Sequence, residues 1–366
     1  MRRVKVIGAG SIGNHHAQAA RRMGWSVDVV DSDPKALQRM KEDIYPKRYG
    51  AWDDSIGLYQ TGGEPKQGYD VICIGTPPDV RMKIALSALE ERPKALLLEK
   101  PLCGPYHEQM EALREFHSAY RGQIATKAVV GYDHAIARST QYVSEILKRG
   151  LLGAVQAIDV QFREHWRGIF SAHPWLAGPG DTYLGYTARG GGASGEHSHA
   201  LHLWQFFARR AGFGVPHSVS GLYKAVDEIE RDAPFRHSAY DTIALFSILT
   251  DIGNVGYVAQ DVVTHPSRKW ARIQGTDGFV EWICNGASVG GDLVRMGLKD
   301  DPVLESVFPK TRPDDFHQEM LHINDIMNNE ASADDSPLSL DSGILVMQML
   351  SAVATHQYGT MQTIGW

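Results

Sequence analysis

The hexapeptide Gly8-Ala9-Gly10-Ser11-Ile12-Gly13 constrains this chain more than any other feature, because of what flanks it. A short β run, Arg3–Ile7, precedes it and a helical pattern, Ile12–Arg22, follows. That context turns a weak glycine motif into the opening of a βαβ unit. Gly8 permits the tight turn, Gly10 lets a pyrophosphate approach the backbone, and Gly13 packs helix on strand. Ser11 and Ile12 open the helix, whose free amides and positive dipole end attract phosphate. Asp31 ends the second β run, 21 residues after Gly10. A carboxylate there can accept hydrogen bonds from adenosine ribose hydroxyls and repels a 2′-phosphate. The pattern therefore predicts a dinucleotide site and favours NAD over NADP.

The alternation continues through the first third. Ser26–Val30 reads as a strand and Pro34–Glu42 as a helix, with Asp33 as its N-cap. Tyr69–Ile74 and Ala95–Leu98 are buried-type strands, Tyr106–Tyr120 is a helix and Ala128–Tyr132 a further strand. Strands and helices alternating at this spacing imply a parallel sheet. Beyond about residue 132 the pattern changes. Thr140–Arg149 reads as a helix and Ala154–Arg163 as a long alternating strand; a helix spans Ala193–Arg210. Strands follow at Ser218–Ala225, Tyr240–Leu249, Asn254–Val262, Ala271–Gly275 and Gly278–Cys284, then helices at Phe316–Asn328 and Ser342–Tyr358. The expected architecture is an α/β Rossmann domain over residues 1–128 and an α+β domain over 129–366, the second with a large, mostly antiparallel sheet.

Composition excludes other classes. At 366 residues the chain buries a large core without disulfides, and Cys73, Cys103 and Cys284 form neither a disulfide framework nor a zinc ribbon. Such cysteine usage suits a reducing cytoplasm. The first 128 residues carry 19 Lys+Arg against 16 Asp+Glu and the remainder 18 against 27, with no basic surplus suited to nucleic acid. No apolar run approaches the length of a membrane span or a signal peptide, so no membrane association is expected.

Two further motifs sit at strand ends, where ligands bind in doubly wound sheets: Thr76-Pro77-Pro78 and Glu99-Lys100-Pro101. A charged pair emerging from an apolar strand is costly unless partnered. With the glycine motif and Asp31, in this order and spacing, these segments resemble the Gfo/Idh/MocA family. That family contains the NAD(P)-dependent glucose–fructose oxidoreductases and inositol dehydrogenases. The resemblance implies that Thr76, Pro77 and Glu99 line the cofactor site. It also implies that Lys100 lies between nicotinamide and substrate hydroxyl, with the bond before its proline often cis. Five residues after Thr76, Arg81 stands where the family often has histidine. Val129–His134 resembles the strand that opens the family's second domain, with Asp133 and His134 in place of the usual asparagine and arginine. Tyr132 and His134 are thereby candidates for contacting substrate.

The stretch Gly190–His202 resembles the family's glycine-rich turn and the helix bearing an acidic residue and a histidine. His199 aligns with that histidine, Glu196 precedes it by three residues, and Gly195 and His202 replace aspartates of the family pattern. On one helix, Glu196 and His199 share a face. An imidazole near neutral pKa suits removal of a hydroxyl proton, Lys100 suits stabilisation of the developing alkoxide, and Glu196 can orient the histidine or meet a hydroxyl. Glu196, His197, His199 and His202 could alternatively ligate zinc, but His197 and His199 face opposite ways on a helix, and no metal is expected. Tyr183, among the aromatics before the glycines, is the candidate for stacking on a sugar ring; packing in an aromatic core competes with that reading. The resemblance implies an NAD-dependent oxidoreductase acting on a sugar, polyol or derivative, with Lys100 and His199 handling the proton. It also implies a homo-oligomer, a dimer or tetramer paired through its large sheet. A cofactor-binding sugar sensor without turnover and a reductase of a non-sugar carbonyl or imine are the alternatives.

Overall fold

The structure is a computed structural model that describes residues 1–123, 125–229, 237–299, 301–355 and 362–365. The chain forms two compact units. The first comprises Met1–Cys103, Glu111–Asp133 and Arg312–Leu340. Its sheet contains β1 (Arg3–Ile7), β2 (Ser26–Asp31), β3 (Ile56–Gln60), β4 (Val71–Ile74), β5 (Ala95–Leu98) and β6 (Lys127–Val130). All pairs are parallel, in the order β3-β2-β1-β4-β5-β6. Every residue of β4 and β5 is buried, which is why they read as unbroken apolar runs rather than alternating ones. The order reverses at β1/β4, so the loops leaving those strands border the crevice where doubly wound folds bind ligands. Asp33 caps the helix Pro34–Arg39 by accepting the Lys35 N–H at 2.9 Å.

A late segment completes this unit. The helix Arg312–Met327 packs on the helix Ser11–Arg22, with Phe316 stacked on His15 at 4.4 Å between ring centroids. The Val130 N–H then bonds the Leu338 carbonyl at 2.9 Å.

The second unit comprises Gly104–Met110, His134–Thr311 and Asp341–Trp366. Its sheet is built from β7 (Val155–Arg163), β8 (Pro216–Ile229), β9 (His237–Thr250), β10 (Val255–Asp261), β11 (Arg268–Gly275), β12 (Gly278–Ile283), β13 (Asp292–Leu298), β14 (Leu304–Phe308) and β15 (Gln362–Thr363). The order is β14-β13-β12-β11-β7-β10-β9-β8-β15, antiparallel except at β7/β10. One face buries Ile158, Val160, Phe162, Val258, Ile273, Val280 and Trp282. The helix His199–Arg210 packs there: Trp204 is fully buried, donates its indole N–H to the Ile158 carbonyl at 3.1 Å, and occupies the space left by Gly256. The α/β and α+β classes thus match expectation. Sequence reading missed β3, β13, β14 and β15. The last helix is seen over Leu340–Thr355, and its expected extension to Tyr358 falls outside the described residues.

Candidate active site

The three glycines of the opening motif differ in what demands them. Gly8 has φ +108°, and a Cβ there would lie 3.2 Å from the Gly75 carbonyl; at Gly13 a Cβ would lie 1.8 Å from the Gly8 oxygen. These two are required by the protein's own packing. Among the described residues, Gly10 has nothing within 4 Å of a Cβ position, which leaves that space open to an incoming group. A pyrophosphate before the 12-residue helix Ser11–Arg22 fits it. Asp31 Oδ2 accepts the Ala9 N–H at 2.7 Å and Oδ1 the Asp33 N–H at 2.9 Å. Each oxygen retains a lone pair for a ribose hydroxyl. Arg48 escaped the sequence reading: its guanidinium donates to the Ser11 carbonyl at 3.0 Å and to Ser11 Oγ at 2.9 Å. No local motif marks a residue that reaches the loop through 37 positions of chain.

Because β1, β4 and β5 are neighbours, the loops at their C-terminal ends meet. Gly8 lies against Gly75–Thr76, and buried Arg81, on the helix Pro78–Glu90 that begins after Pro77, ties the Thr76 loop to the Glu99-Lys100-Pro101 corner. One guanidinium nitrogen donates to the Glu99 carbonyl at 2.6 Å and also to the Pro101 carbonyl; the other donates to the Thr76 carbonyl. An imidazole could not span three carbonyls, so the departure from the family pattern at this position has a structural use. The Lys100–Pro101 peptide is cis.

Glu99 is the second anchor. Its Oε1 lies 2.8 Å from His16 Nε2 and its Oε2 accepts the Lys100 N–H at 3.2 Å. Gly131 leaves room for this carboxylate, since a Cβ there would stand 2.7 Å from Oε1. His16 Nδ1 in turn faces Glu319 Oε2 at 3.7 Å. Glu319 is fully buried, and its carboxyl has no hydrogen-bond partner among the described residues. Burial first, then the negative charge of Glu99 and Asp133, pushes that carboxyl well above the ordinary carboxylate range. Asp133 itself accepts from Arg312 at 2.6 Å, and Asp315 does so at 3.2 Å. The Asp133 and Asp315 carboxylates beside the exposed Arg312 guanidinium favour its charge and raise its pKa. Tyr132 is fully buried in the same unit.

The glycine-rich turn of the second unit is pinned by Asp241, another residue the sequence did not flag. It accepts from Thr187 Oγ1 at 2.7 Å, from the Ser194 N–H at 2.7 Å and from Ser194 Oγ at 2.9 Å. The expected helix 193–210 is two helices, Gly192–Glu196 and His199–Arg210, broken at His197 and Ser198. Glu196 and His199 therefore do not share one helical face. His197 lies in that break and His199 opens the second helix, and the His197 carbonyl accepts from Gln260 Nε2 at 2.7 Å. Gly195, where the family pattern has aspartate, admits no side chain: a Cβ would lie 2.0 Å from the Gly190 oxygen. His199 is buried and stacked on Phe162, and the His134 ring meets it edge-on at 4.7 Å. His134 and His199 are thus brought together on an aromatic floor of Phe162 and Trp282. His202 is buried too. Tyr183 is partly buried against an apolar cluster of Ile169, Leu184, Ala193, Tyr240 and Val262.

Comparisons with known proteins agree with the fold. No curated protein matches the chain. Among solved structures, a levoglucosan dehydrogenase in complex with NADH and levoglucosan is similar at TM-score 0.75 and 16% identity, covering 100% of this chain and 99% of that one. An oxidoreductase domain protein from Kribbella flavida is similar at TM-score 0.75 and 18% identity, covering 99% of each chain. GenD2 from gentamicin A biosynthesis, in complex with NAD, is similar at TM-score 0.70 and 19% identity, covering 100% and 97%. Residues 2–121 match the model of an oxidoreductase family with an NAD-binding Rossmann fold. That match, on a sheet of the right order with the motifs at its strand ends, identifies residues 2–121 as the NAD-binding fold of the Gfo/Idh/MocA oxidoreductase family.

Proposed function

We propose that this NAD-binding oxidoreductase oxidises a hydroxyl of a sugar, polyol or sugar derivative, or reduces the matching carbonyl. The observation that carries the reading is the meeting of the glycine loop, the Thr76 loop and the Lys100 corner at the ends of β1, β4 and β5. The nicotinamide, when bound, accepts or gives the hydride. Lys100 hydrogen-bonds the reacting oxygen and stabilises its negative charge as the proton leaves. His199 takes that proton, and the Phe162 stack fixes the plane of its ring. His134 and Glu196 contact the substrate's other hydroxyls. Asp31 selects NAD over NADP. Sugar chemistry is supported by the levoglucosan bound in a structure of the same fold. The chain also pairs with copies of itself through the large sheet, and cysteines that form no disulfide among the described residues suit a reducing cytoplasm. No described helix is long and apolar enough to cross a membrane.

The test is NADH formation from NAD with a panel of sugars and polyols that includes levoglucosan, beside the Lys100→Met variant. Turnover by the wild type is expected, with a loss of about a hundredfold or more in kcat for Lys100→Met and little change in NADH binding. Binding of NADH without turnover of any sugar, or full turnover by Lys100→Met, would count against the reading.

A further inference from the structure

The Lys100 corner is fixed by two buried residues that lie outside the motifs and touch neither the glycine loop nor Asp31 in any bond described above. We propose that Arg81 and His16 are positioning residues for Lys100, Arg81 through the backbone on either side of it and His16 through the Glu99 carboxylate. The inference rests on the reading of Lys100 given above.

Three observations carry it. Arg81 is 2% exposed, yet its guanidinium is spent on main-chain carbonyls: those of Glu99 and Pro101, which bracket Lys100, and that of Thr76. A buried guanidinium desolvated in this way is costly, and the fold sustains it only where the fork sets a geometry. His16 is fully buried on the glycine-motif helix, 2.8 Å from a carboxylate whose other oxygen accepts the Lys100 N–H. Its Nε2 bonds the Glu99 carboxylate, while its Nδ1 faces Glu319 at 3.7 Å, beyond hydrogen-bond distance. Gly131 then shows that the Glu99 carboxylate is enclosed, since no Cβ fits beside it. A flexible four-carbon side chain gains precision at its ammonium chiefly when its own backbone is immobile, and Arg81 and His16 immobilise that backbone.

Hydrogen exchange reads the backbone without a substrate, and kinetics reads the ammonium. In the full chain, Arg81→Lys and Arg81→Met are compared with His16→Gln, which keeps a donor toward Glu99, and His16→Leu, which does not. For variants that keep the wild-type melting transition and bind NADH within about threefold of wild type, amide exchange over residues 99–103 is expected to accelerate about tenfold or more in Arg81→Met and His16→Leu. Their kcat on a sugar the wild type oxidises should fall about tenfold while KM stays within about threefold, and the pH profile of kcat should move. His16→Gln should recover most of both effects. Unchanged exchange and unchanged kcat in folded variants would overturn the proposal. Should no variant fold, the wild type decides: exchange over 99–103 as fast as over the exposed loop 61–67 overturns it, and strong protection there supports it. Full turnover by Lys100→Met defeats the functional reading instead, and the exchange result still stands on its own.

Discussion

At the scale of single residues, the site is governed by what a side chain would displace. Gly131→Ala places a methyl 2.7 Å from Glu99 Oε1, inside a shell that includes buried His16. Overpacking of that kind costs about 1–3 kcal/mol. The expected outcome is a lowered melting temperature together with a fall in kcat, since the moving atom is the carboxylate beside Lys100. A loss of stability with kcat intact would show that Glu99 can shift without disturbing the lysine. Asp31→Ala removes an acceptor from the Ala9 amide as well as from a ribose, so both cofactors should bind less tightly. Loss of a hydrogen bond to a charged acceptor is worth about 1.5–3 kcal/mol, or roughly tenfold or more in NADH affinity. NADPH should lose less, because its phosphate also escapes the carboxylate's repulsion. Equal losses measured by fluorescence titration would remove Asp31 from cofactor selection. Gly8, Gly10, Gly13 and Asp31 are legible in the sequence, because glycine turns and an acidic strand end are local signals. Arg81 is visible there only as a departure from a pattern, and its use lies in three carbonyls that no sequence spacing joins.

At the scale of elements, the parallel sheet could be read from the alternation of strands and helices, but the helix Arg312–Met327 could not be assigned to it. Nearly two hundred residues separate Arg312 from Asp133, and local periodicity says nothing about which late helix returns to an early sheet. That helix brings Glu319 against His16, with Asp133, Asp315 and Arg312 nearby and Glu99 beyond the ring. Burial, then the neighbouring carboxylates, raise the native Glu319 carboxyl above its ordinary value, so the folded chain keeps this proton to higher pH than the unfolded chain does. The stability this contributes is fully present below the unfolded value and is lost as pH rises through the native one. Glu319→Gln keeps the shape and cannot ionise. Its melting temperature should therefore gain on that of the wild type as pH is raised from the acid side, which calorimetry across pH would measure. A glutamine variant that is less stable at every pH would mean that Glu319 works as an ionised partner of His16. The broken helix at His197–Ser198 shows the opposite limit of sequence reading. Residues 193–210 read as an unbroken helical pattern, and the close approach of Gly195 to the turn, where a Cβ would lie 2.0 Å from the Gly190 oxygen, is a contact that local periodicity does not report.

At the scale of the whole molecule, the second sheet has an outer face that is uneven in a way that bears on assembly. Its registers carry ion pairs toward one edge, Arg272 with Glu281 at 2.9 Å and Arg295 with Glu305 at 2.8 Å. Toward the other edge they carry Leu222 opposite Leu245, and Tyr257 two positions along, at 50%, 40% and 52% exposure. Nine strands at about 4.8 Å spacing span roughly 40 Å, so a partner copy could cover the ~800 Å² per side that a stable interface needs. An exposed apolar row on one side of a sheet is what such pairing buries. Light scattering after size exclusion should give an assembly for the wild type, and Leu245→Asp with Tyr257→Asp should shift it to the mass of one chain. Both substitutions point outward from strands whose alternate residues fill the core, so the double variant should keep its melting transition within a few degrees. A double variant with the wild-type mass would leave the ionic half of the face, or another surface, as the site of pairing. A wild type that runs at 40.5 kDa at every concentration would remove the homo-oligomer altogether. Such a monomer would leave the apolar row as solvent-exposed surface, and the same Leu245→Asp and Tyr257→Asp pair would then raise solubility without changing mass.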